Sequence, residues 1–323
     1  MLPEGCDGLQ KGCSKIENIT ENQHYVWQHY LGAWRTPRKI WCKRADQPEP
    51  FYTNTRNVGS ERFFYEFKEL SLEDLAYIEH VISASQDQEL QDVNRKWVEF
   101  FQRTFVLRRE LETKEINANS RIELEVQLRG AEKMLGEKFH GGVESSAIPI
   151  LDELRRGSSQ FHTDPDKCSA FIIFLCFQYF RTAKLRNAMA VIDHNLPHDM
   201  RRTWPIEAFI YATNVGASLY RQRLGYRVIF LRNTSNTPFI TADQPIINLR
   251  GVAEDALDFY YPLSPYLAII YTGDSERYPH DTLQASAITV ETYNHRVYSN
   301  SEIQIFGNDP EYLKEISNLP KII

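Results

Sequence analysis

Three polar residues of this 323-residue chain stand where apolar ones belong. The segment from Ala170 to Phe180 is apolar on every side and reads as a core helix, yet Gln178, Arg181 and Thr182 continue its stripe of Phe171, Phe174 and Leu175. A buried, unpaired guanidinium costs several kcal/mol, so Arg181 needs a carboxylate or a bound anion. The plain reading is an arginine–carboxylate brace at a helix end. The sharper one is an anion-binding site.

A second anomaly is Phe239-Ile240-Thr241-Ala242-Asp243-Gln244-Pro245. A strand that runs into Asp-x-Pro leaves a carboxylate at its end, where chemistry is often kept; the same carboxylate would also suit a turn, capping nearby N–H groups. A third is Asn22-Gln23-His24-Tyr25-Val26-Trp27-Gln28-His29-Tyr30-Leu31. Its two imidazoles are spaced neither for a helical metal pair nor for one strand face, so His24 and His29 need not share a ligand. The stretch from Trp34 to Arg44 interleaves five cations with two tryptophans, a composition that suits phosphate binding and base stacking but is also that of a solvated edge strand. No Walker, dinucleotide-binding, nucleophile-elbow or zinc-protease signature occurs.

The elements that would position these groups follow from periodicity and punctuation. Aromatic density from Gln23 to Phe67 predicts a small sheet, with strands at Arg38 to Lys43 and Arg62 to Phe67. Ser71 to Asp74 forms a capping-box start, and an amphipathic helix pair follows between Leu90 and Lys138. Ser145 or Ser146 would cap a further helix, with Pro149 in its first turn and Gly157 ending it. Asp164-Pro165 opens the core helix, expected to continue to Ala190 before a break at Asn195-Leu196-Pro197; another helix spans Pro205 to Arg223. Strands are predicted at Tyr226 to Leu231, Pro238 to Thr241 and Leu267 to Tyr271. Strands and helices are segregated, which points to α+β: a small N-terminal strand region, a central mostly helical bundle and a C-terminal β-rich region with closing helices. The expected organisation is a loose leader over 1–21 and one globular domain over 22–323, strand-rich to 70, helical over 71–225 and α/β-rich thereafter.

Composition bounds the function. Hydrophobic residues at 42% and charged ones at 25% describe a folded globular chain, and a net charge of −6 argues against coating nucleic acid or an anionic membrane by bulk electrostatics. The most apolar run is shorter than the roughly 20 residues that cross a bilayer. No basic and then apolar leader is legible, so the expectation is a cytoplasmic protein without a membrane. Cys6, Cys13, Cys42, Cys168 and Cys176 are odd in number and scattered, as reduced thiols are.

Four segments together resemble a domain-of-unknown-function family, number 4238. Its N-x-H-Y-V-P-Q-x-Y-L is matched by Asn22, His24, Tyr25, Val26, Gln28, Tyr30 and Leu31, with Trp27 in place of the proline. Its Q-x-x-R-T is similar to Gln178, Arg181 and Thr182, its F-I-T-S-D-x-P to Phe239 to Pro245, and its P-L-S-P to Pro262 to Pro265. The resemblance also implies an acidic site position at Glu144 and a late helical asparagine at Asn294. The family carries no established reaction.

If His24, Glu144, Gln178, Arg181 and Asp243 converge, they supply an imidazole as general acid or base, carboxylates to orient it or to hold Mg²⁺ or Mn²⁺, and a guanidinium for phosphate, with Thr182 beside it. That kit fits phosphoester hydrolysis, as in a nuclease or nucleotide hydrolase, and by analogy a stress or phage-defence effector. Its partner would be a phosphate-bearing small molecule or nucleic acid. The alternative is a non-catalytic module that binds an anion, nucleotide or protein and whose polar groups form a structural network.

Overall fold

The computed structural model describes residues 20–192, 198–250 and 256–322, and it is an α+β fold. The chain opens with β1 (Asn22–His24), α1 (Gln28–Leu31), β2 (Ile40–Arg44), β3 (Phe51–Thr53) and β4 (Ser60–Arg62). The helices α2 (Leu72–Ser83), α3 (Gln88–Thr113), α4 (Ala118–Arg155), α5 (Pro165–Phe180), α6 (Ala183–Ile192) and α7 (Met200–Arg221) follow. Then come β5 (Arg227–Asn233), β6 (Thr241–Ala242), β7 (Ile247–Asn248), β8 (Asp258–Ser264), β9 (Leu267–Thr272), β10 (Thr282–Ala285), α8 (Ala287–Asn300), β11 (Gln304–Gly307) and α9 (Pro310–Ser317).

The helix starts are written in the sequence. Ser71 and Asp74 close a reciprocal capping box on α2, and Asp87, Asn117, Asp164, Asp199, Ser286 and Asp309 accept first-turn N–H groups of the later helices. The strands are less local. One sheet has the order β10-β5-β9-β8-β7, all antiparallel apart from β10 on β5. A second, β3-β2-β11-β6, pairs β2 from the start of the chain with β11 from its end, while β1 and β4 form a separate antiparallel two-stranded sheet. Helix α5 packs against α4, α7 and the first sheet and is buried on most sides, with Phe171, Ile172, Phe174 and Leu175 all excluded from solvent.

Several sequence expectations are corrected here. Residues 63–67 are not a strand: β4 ends at Arg62 and the chain turns through Phe63 at φ 51°. No helix starts at Ser145 or Ser146. Their hydroxyls donate to the carbonyls of Gly141 and Gly142, four residues back, inside an α4 that runs unbroken through Pro149 to Arg155. Gly157 does end it, at φ 78°, with its N–H on Leu154 O and that of Ser158 on Glu153 O. The core helix stops at Phe180 rather than Ala190, and α5 and α6 meet at a 49° bend because Arg181 and Thr182 turn to partners elsewhere. The break expected at 195–197 and most of the leader lie outside the described residues. Helix α7 begins at Met200, with Pro205 inside it. Cys42, Cys168 and Cys176 are buried free thiols.

Two glycines of α4 give opposite expectations. A Cβ on Gly136 would lie 2.6 Å from the Tyr65 Cβ, so Gly136→Ala is expected to cost about 1–3 kcal/mol despite alanine's better helix propensity. A Cβ on Gly141 meets nothing within 4 Å, and Gly141→Ala should gain up to about 1 kcal/mol. Urea unfolding of the two variants checks both signs.

Candidate functional site

Residue by residue, the polar side chains of the core helix knit distant segments together. The Gln178 amide donates to the Tyr25 carbonyl at 2.9 Å, and its oxygen accepts from Arg181 Nη2, which also donates to Glu144 Oε1. Thr182 donates to the Gln244 carbonyl oxygen, and the Gln244 amide donates to the carbonyls of Ile246 and Tyr179. All three residues of the Q-x-x-R-T segment are therefore buried and engaged, and the helix turns where they leave it.

Beside this braced arginine is a pocket of about 160 Å³ lined by His24, Trp27, Gln28, Glu137, His140, Gly141, Glu144 and Arg181. It is walled by the His24-to-Gln28 segment, by α4 and by the end of α5. Glu137, His140 and Glu144 recur at i, i+3 and i+7, which places them on one face of α4. Burial pushes the Glu137 carboxyl up to about 7, with Glu144 adding to the effect and Arg181 opposing it. Burial, with the Arg181 charge behind it, holds His140 well below the usual imidazole range. His24 is also lowered by burial; its Nε2 lies 3.2 Å from Arg56 O, which places the proton on Nε2 and leaves Nδ1 to accept, 3.4 Å from the Gln28 amide. Burial thus favours the uncharged ring, with Nδ1 as its acceptor. On Arg181, burial opposes the charge, but Tyr65, Glu144 and Glu137 together raise it, so the guanidinium stays ionised. Nη2 carries both of its bonds to protein, Nε is buried without a partner, and Nη1 has none among the described residues.

Of the residues singled out by sequence, His24, Glu144 and Arg181 come together here. Gln178 stands behind Arg181 and positions it. Thr182 and Asp243, expected in substrate binding and catalysis, do not line the pocket. Asp243 is 1% exposed, and its two oxygens accept the N–H groups of Glu302, Ile303 and Gln304 at 2.7–2.8 Å. Burial raises its pKa and these three bonds oppose the rise. It ties the Phe239-to-Pro245 segment to the entry of β11, the capping alternative for this carboxylate. Asp243→Asn would turn an amide donor toward one of those N–H groups and is expected to cost about 2 kcal/mol, read by urea unfolding.

The Mg²⁺ or Mn²⁺ site expected from Glu144 and Asp243 is not formed: the Asp243 oxygens are taken, and Glu144 is turned to Arg181. Among the described residues no group of three or more His, Cys, Asp or Glu has metal-binding geometry. Glu137 and His140 are the pocket residues that sequence reasoning missed. The stripe Glu137, His140, Glu144 carries the signal, but it shows only when α4 is read as one helix.

The motif positions converge on one structural neighbourhood, as a shared signature should. Tyr25 and Val26 donate their backbone N–H groups to Gly59 O, Tyr30 hydrogen-bonds Thr241 and the Pro262 carbonyl, and Asn294 accepts from Ile240 N–H. No curated protein and no solved structure matches the chain. The family described as "Protein of unknown function (DUF4238)" matches residues 22–311, nearly the whole described chain, and the protein belongs to that family.

Proposed function

We propose that the protein is a phosphoester hydrolase that works by general acid–base catalysis in the pocket of His24, Glu137, Glu144 and Arg181. The observation that carries this reading is the convergence of two imidazoles, two carboxylates and a guanidinium from three segments on one cavity. Glu137, titrating about neutrality, suits a general acid, and the Nδ1 of His24, held only by the long 3.4 Å contact to the Gln28 amide, suits a base once the attacking water displaces that amide. As water oxygen attacks phosphorus, His24 takes its proton; Glu137 gives its own to the departing oxygen as the P–O bond breaks. Glu144 and Gln178 fix Arg181 from one side, leaving Nη1 for a phosphoryl oxygen. The cavity has room for a phosphoryl group, whereas the rest of a nucleotide or nucleic acid end would lie outside it.

The test is turnover of p-nitrophenyl phosphate, bis(p-nitrophenyl) phosphate and short RNA across pH. kcat/KM should rise as His24 loses its proton, below the usual imidazole value, and fall as pH passes about 7 and Glu137 loses its own. No turnover of any of these at any pH sinks the proposal. The second reading, a module that binds an anion without turnover, is favoured by the clamp of Glu144 on Arg181. It predicts stabilisation by phosphate with no product.

A further inference from the structure

A second concavity lies away from this pocket, where β2 meets the end of α8, β11 and α9. It encloses about 110 Å³ and is lined by Lys43, Arg44, Tyr298, Ser301, Ser317 and Lys321 together with small and apolar residues; no carboxylate lines it. Lys43 is only 8% exposed. Its ammonium donates to the carbonyls of Arg44 and Gln47, both at 2.7 Å, which leaves one of its three N–H groups unused. Lys321 donates to Ser301 and lies 5.3 Å from the centre of the Tyr298 ring. Neither lysine has a carboxylate within ion-pair distance among the described residues: Asp46 is turned to Arg44 and Glu49 to Lys314.

In a chain of net charge −6, gathering two ammonium groups without a carboxylate, one of them buried, beside an Arg44 that Asp46 already pairs through Nε and Nη2 is costly unless a further counter-charge joins them. The field is felt nearby: burial first, and then the Lys321 charge, holds the Lys184 ammonium below its ordinary value. The volume is that of a few water molecules, the size of a tetrahedral oxyanion. We infer that this hollow is a binding site for a phosphate group, held by Lys43, Lys321 and Arg44. It also accounts for part of the basic stretch between Trp34 and Arg44, whose last two cations are those of the site. The site is distinct from the hydrolase pocket and does not depend on it.

The experiment is calorimetric titration of the full chain, at constant ionic strength, with inorganic phosphate, a nucleoside monophosphate and its nucleoside. Wild type and Glu115→Gln, an exposed position that lines neither pocket, should bind phosphate alike, while Lys43→Met and Lys321→Gln each weaken binding by about fivefold or more. Tighter binding of the nucleotide than of phosphate, with none of the nucleoside, would make a nucleotide the source; equal binding would make it phosphate itself. Binding unchanged in Lys321→Gln, an exposed position that cannot unfold the core, overturns the inference even if Lys43→Met fails to fold. So does the lack of saturable phosphate binding below about 10 mM.

Discussion

Arg181→Ala is expected to lose about 3–5 kcal/mol of stability, because it removes one partner of a buried ion pair and leaves the other charged. Arg181 and Glu144 have side chains only 4% and 16% exposed, and the same Nη2 also satisfies the buried Gln178 oxygen. Deleting the guanidinium therefore strands a carboxylate and an amide together and opens the wall between the polar pocket and the small apolar cavity that Arg181 also lines beside Phe177 and Phe209. Arg181→Lys keeps the charge but reaches both acceptors poorly with a single ammonium, so its loss should fall between wild type and alanine. Urea unfolding gives the order. The chemistry separates on the same pair of proteins: if Nη1 holds the substrate, Arg181→Lys stays folded and loses phosphate affinity and kcat/KM together. An Arg181→Lys protein with wild-type kinetics would leave Arg181 as a brace alone.

How much of this was legible beforehand differs from residue to residue, for physical reasons. Gln178, Arg181 and Thr182 stood out because everything around them is apolar, and an unpaired polar group there is expensive. The helix starts at Ser71 and Asp164 were legible because capping is a local interaction. Helix α4 was not. Gly141, Gly142, Ser145, Ser146 and Pro149 each weaken a helix locally, and the element is held instead by burial of Ala147, Ile150, Leu151 and Leu154. Ending one helix at Lys138 and starting the next at Ser145 or Ser146 left His140 and Glu144 in the gap between them and hid the stripe they form with Glu137. The partners of Asp243 were hidden for another reason: they sit at the entry of β11, and the β6–β11 pairing that brings them close is set by the whole sheet and by no local pattern. The same holds for Thr182, whose proximity to Gln244 could not be read from either segment.

Glu137→Gln is expected to lower kcat/KM by about 10²–10⁴, since glutamine keeps the shape of the acid and has no proton to give. The stability of the same variant shows whether such a loss is chemical or structural. Folding raises the Glu137 pKa from about 4.5 to about 7, so between these values the native state holds more protons than the unfolded chain. Stability from this group is complete below pH 4.5 and is lost as pH rises through 7. Because the carboxyl is partly open to solvent at the pocket wall, the loss should be held to about 1–2 kcal/mol. Glutamine has no such titration. The difference in unfolding free energy between Glu137→Gln and wild type should therefore move in favour of the variant as pH rises from 5 to 8, while the acid side, where neutral buried His140 gives way to a protonated unfolded chain, stays common to both. A variant that is at least as stable as wild type at pH 8 and nearly inactive assigns Glu137 a proton-transfer role. One that keeps both its rate and the fall in rate above neutrality removes Glu137 from the mechanism and returns the pocket to a binding role.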